Sequence, residues 1–243
     1  MPFSTSLSAD DGRSPLPVIV VTGMAFEARI ARGEGVEVVY AARADLLERA
    51  LSAAVERGCS GIVSFGTAGG LAPDLEPGSL IVADAVEGPF GRLQTDRPWS
   101  DRLAAALAAG PLSTRLRRGL MAAVTAPLVS AGDKDVLHRS NGALAVDMES
   151  HIAGAKAAAH GVPFAVCRAI VDPAWRTLPP AATAGLRDDG STALGPILRE
   201  LVRQPSQLGA LIQVAVDARA ARLSLVQARR AIGEAGAFRM AVA

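Results

Sequence analysis

The chain has 243 residues, 50% of them hydrophobic, and a formal net charge of +1. That length and apolar content suit one sizeable core and a single domain. A near-neutral chain lacks the concentrated basic face that nucleic-acid binding needs, so no nucleic-acid partner is expected.

Residues 1–15 are polar and read as a flexible N-terminus, without the basic start and apolar centre of a secretory signal. Val18–Val21 is a short apolar run suited to a buried first strand, and Val36–Tyr40 is a second, rich in β-branched residues. Asp45–Arg57 reads as a helix with Leu46, Leu47, Ala50, Leu51 and Ala54 on one face, closed by Gly58. Gly61–Phe65 is a strand that runs into the glycine-rich turn Gly66-Thr67-Ala68-Gly69-Gly70. Ser79–Val86 follows as a strand, Asp101–Ala109 as a helix and Leu120–Val129 as an extended segment. Ala143–Asp147 is short and apolar, and Glu149–His160 is an alanine-rich helix ended by Gly161 and Pro163. The run Val166–Val171 then ends on Asp172. From about Ala193 the chain is helical, with Leu208, Leu211, Ile212, Ala215 and Val216 as an amphipathic stripe. Strands alternating with helices specify an α/β fold: one three-layer domain, a central mixed sheet flanked by helices, spanning 16–243.

No apolar stretch reaches the roughly 20 residues that cross a bilayer, so a cytoplasmic protein without stable membrane insertion is expected. Cys59 and Cys167 lie far apart beside apolar runs and lack CxxC spacing, which predicts buried free thiols. His138, His151 and His160 show no paired-ligand spacing, so neither a metal nor a cofactor is expected.

Four segments carry candidate chemistry. Asp172 stands at the carboxyl end of a buried strand, where ligands bind in open α/β sheets, although Asp before Pro173 also opens turns. The glycine-rich segment offers backbone amides and the Thr67 hydroxyl to a ligand, but it is neither GxGxxG nor a P-loop. Asp147-Met148-Glu149 places two carboxylates where a strand gives way to a helix, suited either to the helix dipole or to ligand hydroxyls. Glu27 stands similarly beyond the first strand.

The order and spacing of these segments resemble the purine nucleoside phosphorylase and nucleosidase superfamily over roughly Val18 to Asp172. In particular they resemble the branch of methylthioadenosine/S-adenosylhomocysteine nucleosidases. That resemblance implies a nucleoside phosphorylase-like fold and a homo-oligomer. It also implies that Glu27 orients the attacking water and that Thr67, with Ala68 and Gly69, lines the nucleophile and ribose site. Met148 and Glu149 would contact the ribose, and Asp172 the purine. The chemistry that the resemblance implies is cleavage of an N-glycosidic bond. Adenine leaves poorly as an anion, so Asp172 would protonate it near N7, provided burial raises its pKa. Glu149 would anchor the 2′ and 3′ hydroxyls and stabilise an oxocarbenium-like sugar. Water or phosphate would attack from the opposite face. Arg29 and Arg43 are the candidate cations for a phosphate co-substrate, or else solvated surface arginines.

After Asp172 the apolar, Pro-rich segment Pro173–Ala182 and the arginine-studded tail resemble hopanoid-associated phosphorylases. That resemblance implies adenine release from adenosylhopane by phosphorolysis, with Trp175 and Leu178 accommodating a large apolar 5′ substituent. The alternatives are hydrolysis, as in methylthioadenosine/S-adenosylhomocysteine nucleosidases, and a non-catalytic nucleoside-binding protein of the same fold. The stripe from Leu208 is expected in core or subunit packing. Its competing use is peripheral membrane contact, with Arg219, Arg222, Arg229 and Arg230 facing headgroups.

Overall fold

The computed structural model describes residues 16–185, 187, 190, 191 and 193–238. The expected flexible segment 1–15 lies outside them. Among the described residues eight strands form one sheet: β1 (Val18–Thr22), β2 (Val36–Tyr40), β3 (Gly61–Gly70), β4 (Leu80–Gly88), β5 (Gly91–Gln94), β6 (Leu116–Ala123), β7 (Ala145–Asp147) and β8 (Phe164–Asp172). The pairs β1–β2, β1–β3, β3–β8, β4–β6 and β6–β7 are parallel. The pairs β3–β7, β4–β8 and β4–β5 are antiparallel, so the sheet is mixed. Because β3 pairs with both β8 and β7, the strands β3, β8, β4, β6 and β7 close on themselves, and β1 and β2 extend from β3 as an open flank.

Among the described residues there are eight α-helices, α1 (Ala25–Ala31), α2 (Ala44–Glu56), α3 (Arg97–Ala108), α4 (Ala131–Asn141), α5 (Ser150–His160), α6 (Pro180–Ala184), α7 (Leu194–Arg203) and α8 (Leu208–Glu234), of which α1, α2, α3, α5 and α8 pack on the sheet. One face packs Leu47 and Leu51 of α2 and Ile152 of α5 against Ile19, Ile62 and Val166. The other packs Trp99 and Leu103 of α3 and Leu225 and Ile232 of α8 against Val20, Val63 and Cys167. Strands covered on both faces need continuous apolar runs, which is why the alternation of polar and apolar residues is weak in β1 and β8. The three-layer α/β architecture expected from the sequence is the one observed. Both cysteines are free and buried, and burial pushes the Cys167 thiol up to about 12.

Four expectations need correction. The glycine-rich stretch does not leave the sheet; it continues β3 to Gly70, where Gly69 and Gly70 pair with Val146 and Ala145. The extended segment stops at Ala123 rather than Val129, because β7 pairs only as far as Asp147 opposite Ala123. Helix α4 is not foreshadowed by any apolar stripe in the sequence. Instead, Ser130 caps it through the Asp133 amide and Gly142 ends it in the left-handed conformation. Finally, the stripe on α8 faces outward: Leu208, Ile212 and Val216 are half exposed, and the buried face is Asp217, Ala221, Ser224, Leu225, Ala228 and Ile232. Of its arginines, Arg229 turns inward to the Ala31 and Arg32 carbonyls and Arg230 pairs with Glu234, leaving Arg219 and Arg222 exposed. Among the described residues no helix is long and apolar enough to cross a membrane.

Candidate active site

Strands β1, β3, β7 and β8 end around one cavity of about 180 Å³. Glu27, Thr67, Ala68, Gly69, Met148, Glu149 and Asp172 all line it, so the site residues expected from four separate segments meet in one place. Arg29 and Arg43 do not: both are exposed, and Arg43 is bound to Asp45 through two hydrogen bonds of 2.7 and 2.6 Å. Trp175 is also exposed and outside the lining, whereas Leu178 is part of it. Val124, Pro127, Leu128 and Leu178 make an apolar wall, and the Leu178 amide donates to the Val129 carbonyl at 2.9 Å, tying the two loops that carry it.

Glu27 occupies the third position of α1, from which its carboxylate reaches back over the helix start. Oε2 accepts from the Gly23 and Met24 amides at 3.1 and 3.0 Å. Oε1 accepts from the Thr67 amide at 2.7 Å and the Thr67 hydroxyl at 2.6 Å. A carboxylate offers about four acceptor sites, so all of them are engaged. Gly66 of β3 therefore serves a purpose other than a ligand cradle, while Gly69 lines the cavity. A Cβ on Gly66 would come within 2.7 Å of both Arg168 Nη1 and Glu27 Oε2, so glycine lets the protein's own side chains approach.

Behind the Asp147 and Glu149 carboxylates lies Arg168 of β8, fully buried. Its Nη2 donates to Ser64 Oγ at 2.6 Å and lies 3.1 Å from Glu149 Oε2, while Nη1 donates to the Thr67 carbonyl at 3.2 Å. Nε lies 2.8 Å from Asp147 Oδ2 but off the N–H direction, so that contact is ionic rather than a hydrogen bond. Burial opposes the Arg168 charge, but Asp147, Glu149 and Glu27 outweigh it and hold the guanidinium firmly protonated. Burial also raises the Glu149 carboxyl to about 7; Arg168 opposes the rise, and Asp147 and Glu27 add to it.

At the other end of the cavity Asp172 meets Lys134 of α4, a lysine with no exposed surface. Lys134 Nζ lies 2.5 Å from Asp172 Oδ2 and also contacts the carbonyls of Pro173 at 3.2 Å and Arg176 at 3.0 Å. Burial raises the Asp172 carboxyl above the usual range, Lys134 pulls it down, and Asp217 raises it further. Arg176 is itself held by Asp217 of α8, with Nε and Nη2 each 2.9 Å from Oδ2. Four carboxylates, those of Glu27, Asp147, Glu149 and Asp172, thus line the cavity, and among the described residues its lining contains no cationic side chain.

The model of the phosphorylase superfamily matches residues 17–193, most of the chain and every residue of this site except Asp217. The chain belongs to the phosphorylase superfamily. No curated protein matches it by sequence. Among solved structures it is similar to futalosine hydrolase of Helicobacter pylori, with a TM-score of 0.65 at 14% identity over 90% of this chain and 97% of that one. It is also similar to the 5′-methylthioadenosine/S-adenosylhomocysteine nucleosidase of Helicobacter pylori, with a TM-score of 0.63 at 16% identity over 92% and 99%. The corresponding nucleosidase of Campylobacter jejuni gives 0.56 at 15% identity over 84% and 99%. At such identities the likeness shows the fold of this phosphorylase superfamily member.

Arg168 and Lys134 had no role in the site expected from the sequence; Asp147 was singled out beside Glu149, but the family resemblance gave it no role. Arg168 carries a usable signal, since a charge inside the apolar run Val166–Val171 must be paired when the strand is buried. Lys134 lies in α4, the helix without an apolar stripe.

Proposed function

We propose that this protein cleaves the N-glycosidic bond of an adenine nucleoside by hydrolysis. The observation that carries the reading is one cavity with Glu27 and Asp172 among its lining, Glu149 and Met148 beside them, and no cation among the described lining residues. Asp172 protonates the departing adenine at N7, Glu149 binds the ribose hydroxyls, and Met148 supplies a polarizable apolar wall. The nucleophile is water rather than the phosphate expected from the sequence. A phosphate dianion would face four carboxylates, the Thr67, Gly23 and Met24 amides are already bound to Glu27, and Arg29 and Arg43 lie outside the site. Water reaches Glu27 by replacing the Thr67 hydroxyl, the one of its four donors that a bond rotation can withdraw.

The cavity is smaller than the roughly 300–1,000 Å³ usual for small-molecule sites, so a 5′ substituent leaves through the mouth along Val124, Pro127, Leu128 and Leu178. That wall suits an apolar group, and adenosylhopane is the candidate carried over from the sequence. A lipid substrate also gives the outward row Leu208, Ile212, Val216 and Leu223, flanked by Arg219 and Arg222, a use at an anionic membrane surface. Vesicle co-sedimentation checks that use; a dimer in solution with no vesicle binding would assign the row to subunit packing.

The deciding experiment is incubation with adenosylhopane and with methylthioadenosine, each with and without phosphate, following free adenine and the sugar product. Adenine release that is independent of phosphate and yields the free sugar is expected, faster from adenosylhopane. A sugar 1-phosphate would overturn hydrolysis, and no adenine from either nucleoside would overturn the activity.

A further inference from the structure

The buried lysine at the base end has no part in the chemistry derived so far. Lys134 is one of two lysines in a chain with 25 lysines and arginines, and it is the cation that touches Asp172. Burying an ammonium costs several kcal/mol unless its partners compensate. Its partners here are the carboxylate of Asp172 and the carbonyls of Asp172, Pro173 and Arg176, all from the strand end and the loop that follows it. A structural pin for that loop needs only the carbonyls, and a neutral amide donor would satisfy them. The 2.5 Å contact to Asp172 Oδ2 is an addition aimed at the group proposed to give up a proton.

We propose that Lys134 is a positioning residue for the acid step, one that fixes the Asp172 carboxyl and stabilises the carboxylate left when its proton departs. The inference rests on the adenine-nucleosidase reading. As the C1′–N9 bond breaks, its electron pair passes to the purine. N7 takes the Asp172 proton, and Asp172 becomes a carboxylate facing an ammonium that keeps all its own protons. The attraction is greater after proton transfer than before it, so it lowers the barrier rather than merely binding substrate. The charged groups around Asp172 are Lys134 from α4 and Asp217 from α8, the latter already paired with Arg176. Lys134 is thus the favourable partner, and Asp217 acts against it.

The test compares Lys134→Met, Lys134→Gln and Lys134→Arg with the unmodified protein. Adenine release is followed across pH, with kcat and KM separated and folding checked by thermal melting. Gln is included because its amide still donates to the Pro173 and Arg176 carbonyls if Met loosens the loop. A general acid is active while protonated, so the rate falls as pH rises through its pKa. Removing the ammonium raises that pKa and weakens the acid. The expected result for Met and Gln is a kcat about 10- to 100-fold lower on the low-pH plateau, where Asp172 is protonated in every variant, a modest part of the 10²–10⁴ typical of general acid catalysis. KM should change little, the alkaline limb should move to higher pH, and Arg should leave the limb near its original place. A loss of activity equal at every pH with the limb unmoved, or a loss carried by KM, would overturn the inference and make Lys134 purely a pin. If the unmodified protein releases no adenine, the underlying reading fails instead, so the two failures are told apart.

Discussion

The two ends of the cavity bury a cation each, and the two are built differently. At the sugar end Arg168 is shared among Asp147, Glu149, Ser64 and the Thr67 carbonyl, a guanidinium spreading its fork over several fixed acceptors. At the base end Lys134 gives a compact charge to one carboxylate and a ring of carbonyls. In the proposed reaction the sugar end would hold several groups still while charge develops on the ribose. The base end would let one carboxyl, that of Asp172, give up a proton beside Lys134. On the proposed reaction the cation at each end suits its step, a delocalised fork where geometry is shared and a point charge where a single proton would move.

If that contrast holds, the largest effect comes from removing the shared cation. Arg168→Met leaves Asp147 and Glu149 buried without a counter-charge and should cost about 3–5 kcal/mol, read by denaturant unfolding. Asp172→Asn should lower kcat by about 10²–10⁴ while the chain stays folded with a reduced melting temperature, because Lys134 keeps its carbonyls but loses its carboxylate. Near-normal turnover in this variant would remove the acid from the base end and with it the comparison.

The sugar end also predicts a pH dependence. Glu149 is raised from 4.5 to about 7, so the folded protein binds its proton more tightly than the unfolded chain does. Stability from this group is therefore greatest below about 4.5 and declines as pH rises to about 7. Glu149→Gln should gain melting temperature relative to the unmodified protein across that window. Substrate binding should run the other way, since the ionised carboxylate is the form proposed to accept both ribose hydroxyls. KM should rise as pH falls through about 7, and the rise should be absent in Glu149→Gln. The smallest effect is assigned to the surface: Arg29→Ala and Arg43→Ala should leave kcat/KM unchanged with and without phosphate, since exposed pairs contribute about 0–1 kcal/mol. A phosphate-specific loss in either would reopen phosphorolysis.

The sequence showed the α/β alternation because strands covered on both faces are written as unbroken apolar runs, as in Val18–Val21 and Val166–Val171. It also showed the cavity carboxylates, because they stand where those runs end. It hid α4, whose eleven residues have a single buried member, Lys134, so no apolar stripe marks the helix. The cap pair Ser130 and Asp133 was the readable sign. The fate of the glycines in β3 was hidden for another reason: an absent side chain does not say which neighbour uses the space. Only the approach of Glu27 and Arg168 to Gly66 reveals it. The stripe on α8 was legible as a pattern, but helical periodicity does not say which of two faces turns inward, and the face built from small residues and Asp217 did.

The closure of the sheet through β3 bears on how the protein acquires its activity. Within this strand Ile62 registers with Phe164 and Gly70 with Ala145, partners far along the chain. Contacts of such long separation form slowly, because the intervening chain must first give up its freedom. Helices α2 and α5, local in sequence, can form much earlier. Recovery of adenine release during refolding should therefore lag the recovery of helical signal, and the lag would time the joining of β3 to β7 and β8.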